Sequence, residues 1–342
     1  MPQELRVGLI GCGAMGQAHA DIWLRTPGAR LAAVFDTVAE RAGDVAARCG
    51  ATPFGDLAAM LASGLIDAVS IATPSGLHAD QGLAAAEAGH HVVCEKPLDL
   101  SIGKADCLIH ACRSRGLALA CVLQRRTFAG TQAVTQAIHR GRMGRLLSCS
   151  ASIKWWRSQE YYDAAGWRGT WALDCGVLAN QAIHAIDHLC WMAGPVAEVE
   201  YACLGTVGHA MEAEDHALAV VRFESGCRGV IEATTCCSPA LCSRVEVYGQ
   251  RGSASFDDAQ VVSFGIDGAD AIAELPTETA SLGGRAEPMA INMAGHEAIF
   301  ADFVAAVRDG RPPMVTGEDA RAAVDALNKI YRMAVPGQKL GT

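Results

Sequence analysis

Leu5-Arg-Val-Gly-Leu-Ile-Gly11-Cys12-Gly13-Ala14-Met15-Gly16 is the stretch that decides the fold. Its first half is a near-continuous apolar run, the pattern of a parallel strand buried on both faces. Its second half is G-x-G-x-x-G. From Ala14 to Thr26 the pattern turns helical, stopped by Pro27-Gly28. A glycine triplet alone is a weak signal, but one that closes a strand and opens a helix has a mechanism. Gly11 permits the tight turn, Gly13 lets backbone approach a pyrophosphate, and Gly16 lets the helix pack on the sheet. The helix N-terminus then offers N–H groups and partial positive charge to phosphates. Cys12, Ala14 and Met15 complete the predicted cofactor loop.

The alternation continues outward. Strands are predicted over Ala29–Asp36, Ala68–Thr73, His91–Glu95 and Leu117–Leu123, with helices over Val38–Cys49, Leu77–Ala88 and Ser101–Arg115. Strand, helix, strand with short links reads as an α/β doubly wound parallel sheet of the Rossmann type. Beyond residue 123 the texture changes. His216–Phe223, Cys227–Cys236, Arg244–Tyr248 and Ser253–Phe256 read as successive short strands, hence a second, mainly antiparallel sheet. Helices are predicted near Thr131–Arg140, Asn180–Met192, Gly295–Arg308 and Asp319–Met333, and a surface loop over Gly268–Pro288. The expected division is a cofactor domain at 1–122 and a substrate and oligomerisation domain at 123–342.

With 342 residues, 51% of them hydrophobic, the chain can bury a sizeable core. A net charge of -9 argues against nucleic acid as partner, since phosphate binding needs a basic face. No apolar run approaches the ~18 residues of a membrane helix, and the opening residues carry no leader pattern. The 14 cysteines are scattered, with no C-x-x-C pair, and read as small buried side chains in a reducing cytoplasm.

Asp36 ends the second strand twenty positions after Gly16, where a carboxylate accepts hydrogen bonds from the adenosine ribose and repels a 2′-phosphate. It favours NAD over NADP, and Thr37 joins it in the predicted cofactor set. Arg41, one helical turn on, is the feature that would favour NADP. Lys96, in Cys94-Glu95-Lys96-Pro97, ends a strand at the carboxyl edge of the sheet, where ligands of such folds bind. A lysine there can exchange a proton with a substrate hydroxyl. Asn180, His184 and Asp187 have i, i+4, i+7 spacing, which puts them on one helix face; that face either borders a pocket, with His184 able to pass a proton, or is a satisfied structural face whose His and Asp bond each other. The region from Lys154 to Trp171 is dense in aromatic and Arg residues. Tyr162, Trp167 and Arg168 are its candidate substrate contacts, through aromatic packing on sugar rings and bidentate clamping of a carboxylate or phosphate. No metal is predicted, for there is no H-E-x-x-H pattern and no cluster of Cys ligands.

Gly11-x-Gly13-x-x-Gly16-x-x-His19, Ala72-Thr73-Pro74-Ser-Gly-Leu-His78, Glu95-Lys96-Pro97 and Asn180…His184…Asp187, in this order and spacing, closely resemble the Gfo/Idh/MocA oxidoreductase family. The resemblance runs nearly end to end. It implies an N-terminal Rossmann domain and a C-terminal α/β domain on an open, mainly antiparallel sheet, with dimers or tetramers formed through that sheet. It also implies catalytic roles for Lys96 and His184 beside the nicotinamide. It extends the cofactor set to Thr73, Pro74, His78, Glu95 and Lys96, and the substrate set to Lys96, Gln124, Arg125, Asn180, His184 and Asp187. Two departures are visible. Inositol dehydrogenases carry an aspartate where this chain has Asn180, which leaves the proton to Lys96 or His184. Many relatives carry three glycines where it reads Cys175-Gly176-Val177. The Asn form is more similar to the branch acting on sugars and sugar derivatives, including nucleotide-sugar uronates. The implied function is NAD-dependent hydride transfer from a secondary hydroxyl of a sugar, cyclitol or sugar acid. The alternatives are an NAD-retaining enzyme that cleaves glycosides by oxidation and elimination, an NADPH-dependent keto-sugar reductase, and a non-enzymatic sensor.

Overall fold

The computed structural model describes residues 4–276, 284–285 and 292–341. The chain divides into two compact units, one of Met1–Val122 with His296–Arg321 and one of Leu123–Gly295 with Ala322–Thr342.

In the first unit the apolar runs become parallel strands: β1 (Leu5–Ile10), β2 (Ala29–Phe35), β3 (Thr52–Phe54), β4 (Ala68–Ile71), β5 (His91–Cys94) and β6 (Leu119–Cys121). The helices between them are α1 (Ala14–Arg25), α2 (Ala39–Cys49), α3 (Leu57–Leu61), α4 (His78–Glu87) and α5 (Ile102–Ser114). The sheet order is β3-β2-β1-β4-β5-β6, the doubly wound order whose direction reverses beside β1. Val7, Leu9, Ile10, Val34, Val69, Ile71, Val92 and Val93 are wholly buried, and each such side chain contributes roughly 1.5–3 kcal/mol. The stretch 296–321 belongs here because it is built into this sheet's margin. Cys121 N–H donates to the Val315 carbonyl at 3.1 Å, Ala120 and Thr316 form an antiparallel bridge, and Phe300 stacks on Trp23 at 4.4 Å. Assigning all of 123–342 to one domain therefore does not describe these residues. β3 and α3 were also not expected; each is five residues or fewer, too short for a periodic signal.

The second unit carries α6 (Ala129–His139), β7 (Leu146–Lys154), α7 (Gln159–Asp163), α8 (Val177–Asn180), α9 (Ile183–Ala193), β8 (Val196–Gly205), β9 (His216–Phe223), β10 (Arg228–Thr234), β11 (Cys242–Gly249), β12 (Gly252–Asp257), β13 (Gln260–Ile266) and β14 (Ala269–Asp270). Its sheet runs β14-β13-β12-β11-β7-β10-β9-β8 among the described residues, antiparallel throughout except for β7 with β10. Helix α9 is buried nearly all round, its polar His184, Asp187 and His188 included, and packs on β7 and β11. Two long helices, α10 (Ala294–Asp309) and α11 (Gly317–Ala334), close the chain. The expected loop over 268–288 contains β14 and a helical turn at Ile272–Glu274, and part of it lies outside the described residues. No described helix is long and apolar enough to cross a membrane.

Candidate active site

The first unit assembles the predicted cofactor residues at the carboxyl ends of its strands. Gly11 sits at φ +91, and a Cβ there would lie 2.8 Å from the Ala72 carbonyl oxygen. A Cβ on Gly16 would come within 2.0 Å of the Gly11 oxygen, so helix and turn touch backbone to backbone. At Gly13 the same test meets nothing within 4 Å, which leaves an open approach to the main chain. Gly13 is also the N-cap of α1 and no side chain caps it. The amides of Ala14, Met15 and Gly16 therefore face that approach as donors for an anion. Asp36 is held beside the turn. Its Oδ2 accepts Cys12 N–H at 2.7 Å and its Oδ1 accepts Val38 N–H at 2.8 Å, and each oxygen retains acceptor capacity for a ribose hydroxyl. Burial first, then the charge of Asp36, pushes the Cys12 thiol up to about 12, so it is an inert lining group. Thr37 and Arg41 are both exposed. This glycine cradle, uncapped helix and ribose acceptor fit a dinucleotide.

Thr73 and Pro74 line the turn after β4, where Thr73 Oγ1 donates to Gln81 Oε1 at 2.7 Å. His78 is buried between two loops, with Nδ1 2.7 Å from the Pro97 carbonyl and Nε2 2.9 Å from that of Thr73. It ties the turn after β4 to the turn after β5. Glu95 lies inside the unit. His19 Nε2 reaches its Oε1 at 3.0 Å, His296 Nε2 lies 3.3 Å from the same oxygen, and Lys96 N–H donates to its Oε2 at 3.1 Å. Burial works to raise the Glu95 carboxyl, but the two histidines overcome it and hold the group well below the usual carboxylate range. Burial pushes His19 the other way, down. The arrangement is thus an ionised carboxylate accepting from a neutral His19, with Ser70 Oγ donating to its Nδ1 at 3.0 Å. Lys96 itself is half-buried at the end of β5.

The second unit holds the predicted substrate residues, and here the structure revises the sequence. Asn180 and His184 are not on one continuous helix. Ala182 N–H reaches back to the Val177 carbonyl at 2.8 Å, five residues away, and this wide turn separates α8 from α9. Asn180 Nδ2 donates to Asp174 Oδ1 at 2.7 Å, and Asp174 Oδ2 accepts Gly169 N–H at 2.9 Å. His184 is buried in the first turn of α9. Asp187 makes a bidentate pair with Arg126, Nε to Oδ2 at 3.0 Å and Nη2 to Oδ1 at 2.7 Å, both side chains nearly closed to solvent. The i+7 spacing thus puts Asp187 in a buried ion pair, and Arg126 is a partner that sequence reasoning passed over.

Gln124 and Arg125 are buried as well. Arg125 Nη2 donates to Ser243 Oγ at 2.6 Å and Asp258 Oδ1 at 3.1 Å. Tyr162 is buried with its hydroxyl 2.8 Å from Thr235 Oγ1, and burial raises its phenol. Trp167 is half-buried, and the Arg168 guanidinium lies 4.1 Å over the Tyr161 ring and 5.4 Å from that of Trp167. Arg157, not singled out in the sequence, sits between the rings of Trp155 and Tyr161 and donates to the carbonyls of Trp156, Gly284 and Arg285. Cys175, in the stretch that departs from the glycine-rich form, takes a φ of +56, a left-handed conformation that costs a residue with a side chain roughly 1–2 kcal/mol. Gly176 beside it is obligatory, since a Cβ would fall 2.0 Å from the Glu214 carbonyl oxygen.

Among the described residues two groups of side chains have metal-ligating chemistry, His19–Glu95–His296 and His209–Asp215–Cys236. In the second, Asp215 already accepts N–H groups from Val207, Gly208 and His209, besides His209 Nδ1 at 2.9 Å, and His209 Nε2 lies 2.9 Å from the Arg157 carbonyl. That cluster closes a loop with its bonding capacity filled. The fourteen cysteines are all free; seven of them are half-buried or buried on strands or helices, among them Cys94, Cys121 and Cys190, whereas Cys107 and Cys203 are exposed.

Comparison with known proteins agrees with this geometry. Residues 5–122 match the model of an oxidoreductase family with an NAD-binding Rossmann fold, and residues 131–255 match the GFO/IDH/MocA C-terminal domain. An inositol 2-dehydrogenase of Rubrobacter xylanophilus is 31% identical over 255 residues, 73% of this chain and 71% of the relative. The WlbA dehydrogenase of Bordetella pertussis, solved with NADH and UDP-GlcNAcA, superposes with a TM-score of 0.88 at 33% identity, covering 98% of this chain and 97% of that one. Its counterpart from Chromobacterium violaceum, also solved with NADH and UDP-GlcNAcA, has a TM-score of 0.87 at 29% identity, covering 99% of this chain and 96% of that one.

Proposed function

The chain belongs to the Gfo/Idh/MocA oxidoreductase family, and from that premise we propose that it is an NAD-dependent dehydrogenase of a secondary hydroxyl on a sugar, cyclitol or sugar acid. The observation that carries the reading is Lys96. It leaves the end of β5 from a backbone pinned by Glu95, in the same unit as an open, uncapped glycine turn and a ribose-accepting Asp36. Bound at that turn, NAD would supply the hydride acceptor at its nicotinamide C4. The amides of Ala14 to Gly16 would hold its phosphates and Asp36 its ribose. Asp36 would also repel a 2′-phosphate, which makes NAD the preferred form. Thr73, Pro74 and His78 would shape the wall of the cofactor site. Lys96 takes the hydroxyl proton as the carbon loses hydride, and His184 assists by orienting that hydroxyl. The protein's contribution is positioning and charge placement. Asn180, an amide anchored by Asp174, offers a hydrogen bond to a neighbouring hydroxyl and no proton-accepting carboxylate.

Within this class we favour a substrate carrying a carboxylate or phosphate, as a nucleotide-linked sugar acid does. The support is the Arg168–Tyr161–Trp167 stack, which pairs a cation with aromatic faces, and the similarity to WlbA dehydrogenases solved with UDP-GlcNAcA. The proposal includes a dimer or tetramer through the second sheet, whose strands expose Tyr201, Leu218, Val230 and Tyr248, and a reducing cytoplasm that suits free cysteines. The test is absorbance at the nicotinamide band with NAD or NADP and a panel of nucleotide-linked uronates, free uronates, inositols and neutral sugars. NADH formation from an acidic sugar, abolished in Lys96→Ala, is expected; activity on neutral sugars alone would overturn the narrower reading. Light scattering reads the assembly.

A further inference from the structure

His296 belongs to none of the motifs that single out the site, yet α10 brings it to the residue that pins Lys96. Its Nε2 is 3.3 Å from Glu95 Oε1, the oxygen that also receives His19 Nε2 at 3.0 Å, while Glu95 Oε2 takes the Lys96 N–H at 3.1 Å. A residue from α1 and a residue from α10 therefore converge on one carboxylate at the end of β5. All three side chains are closed to solvent, at 0%, 7% and 2% exposure for His19, Glu95 and His296. The Nδ1 of His296 has no hydrogen-bond partner among the described residues, so the ring's polar engagement is with Glu95. We propose that His296 is a positioning residue for Lys96: by holding Glu95 Oε1 it fixes the carboxylate orientation that keeps Oε2 on the Lys96 N–H. That bond sets where the Lys96 side chain departs from the backbone. A single histidine on Oε1 leaves the carboxylate free to swing about its terminal torsion, which is broad. Two donors from different helices remove that freedom. Misplacing a reacting group by about 1 Å costs on the order of 100-fold in rate.

The test follows the Lys96 amide directly. Amide hydrogen exchange is measured on the full chain for wild type, His296→Leu and His296→Gln, with Val92 and Val93 of β5 as references. His296→Leu is expected to speed exchange at Lys96 about tenfold or more while the references stay protected, and His296→Gln, which can still donate to Oε1, is expected to restore it. Should His296→Leu fail to fold, His296→Phe keeps a ring without nitrogens and carries the same comparison. Unchanged exchange at Lys96, or exchange rising equally at Val92 and Val93, overturns the proposal. A second readout rests on the dehydrogenase reading: kcat falls at least tenfold in His296→Leu with KM for NAD within about twofold, and the loss vanishes in a Lys96→Ala background. An additive loss there contradicts action through Lys96. The exchange experiment needs no substrate, so a chain without NADH activity faults the function and leaves the positioning result to stand or fall separately.

Discussion

Glu214 is a carboxyl that the fold prefers protonated. Burial dominates, outweighing the Leu178 N–H at 3.0 Å and the Tyr331 hydroxyl at 2.8 Å on its Oε1, and lifts its titration from 4.5 to about 7. Its Oε2 has no partner among the described residues. Since the folded chain binds this proton more tightly than the unfolded one, Glu214 favours the fold below pH 4.5, and that contribution is lost as pH rises through about 7. Glu214→Gln keeps the shape without the titration. Its stability relative to wild type is expected to rise between pH 5 and pH 8, by an amount approaching about 3 kcal/mol. Urea unfolding at the two pH values checks this, and an equal difference at both would refute it. The Arg126–Asp187 pair gives a second expectation. Asp187→Leu takes both carboxylate oxygens away from a buried guanidinium and should cost about 3–5 kcal/mol in urea unfolding, whereas Arg126→Met with Asp187→Leu should recover most of that loss. Neither Asp187's partner nor the Glu95–His296 contact was legible in the sequence. Their partners lie 61 and 201 positions away, and no local period connects them.

Elements were legible where one physical requirement dominates. The strands of the first sheet are buried on both faces, so their apolar runs and the glycine turn announce themselves. In the second sheet β7 was missed because, although serines at 148, 150 and 152 alternate with buried residues, the inward Cys149 and Ala151 are small and give only a faint apolar signal. β8 was missed because register shifts between Val196 and Glu198, and between Val199 and Tyr201, break its period of two. The α8–α9 break was invisible because Gln181-Ala182 carries no glycine or proline to mark it. The glycine turn itself supports a paired prediction. Gly13→Ala adds a methyl into open space, so thermal stability should hold while NAD affinity falls at least tenfold by calorimetry. Gly16→Ala meets the Gly11 carbonyl and should destabilise the fold itself. If Gly13→Ala binds NAD as wild type does, the turn is not the phosphate cradle.

For the molecule as a whole, a two-part architecture was readable from the switch between alternating helices with strands and successive strands. The return of 296–321 to the first unit was not, because it depends on long-range pairing such as Cys121 with Val315. The cofactor preference belongs to this scale too. Asp36 is fixed by two backbone amides, so Asp36→Ser should lower the preference for NAD over NADP at least tenfold, measured as the ratio of dissociation constants. The central claim is net hydride transfer, and the most direct measurement is the stoichiometry of NADH formed to substrate consumed, followed with substrate deuterated at the reacting carbon. The account predicts one reduced cofactor, carrying the deuterium, for each substrate oxidised. Substrate consumption with no net NADH, and release of an aglycone in its place, would contradict it.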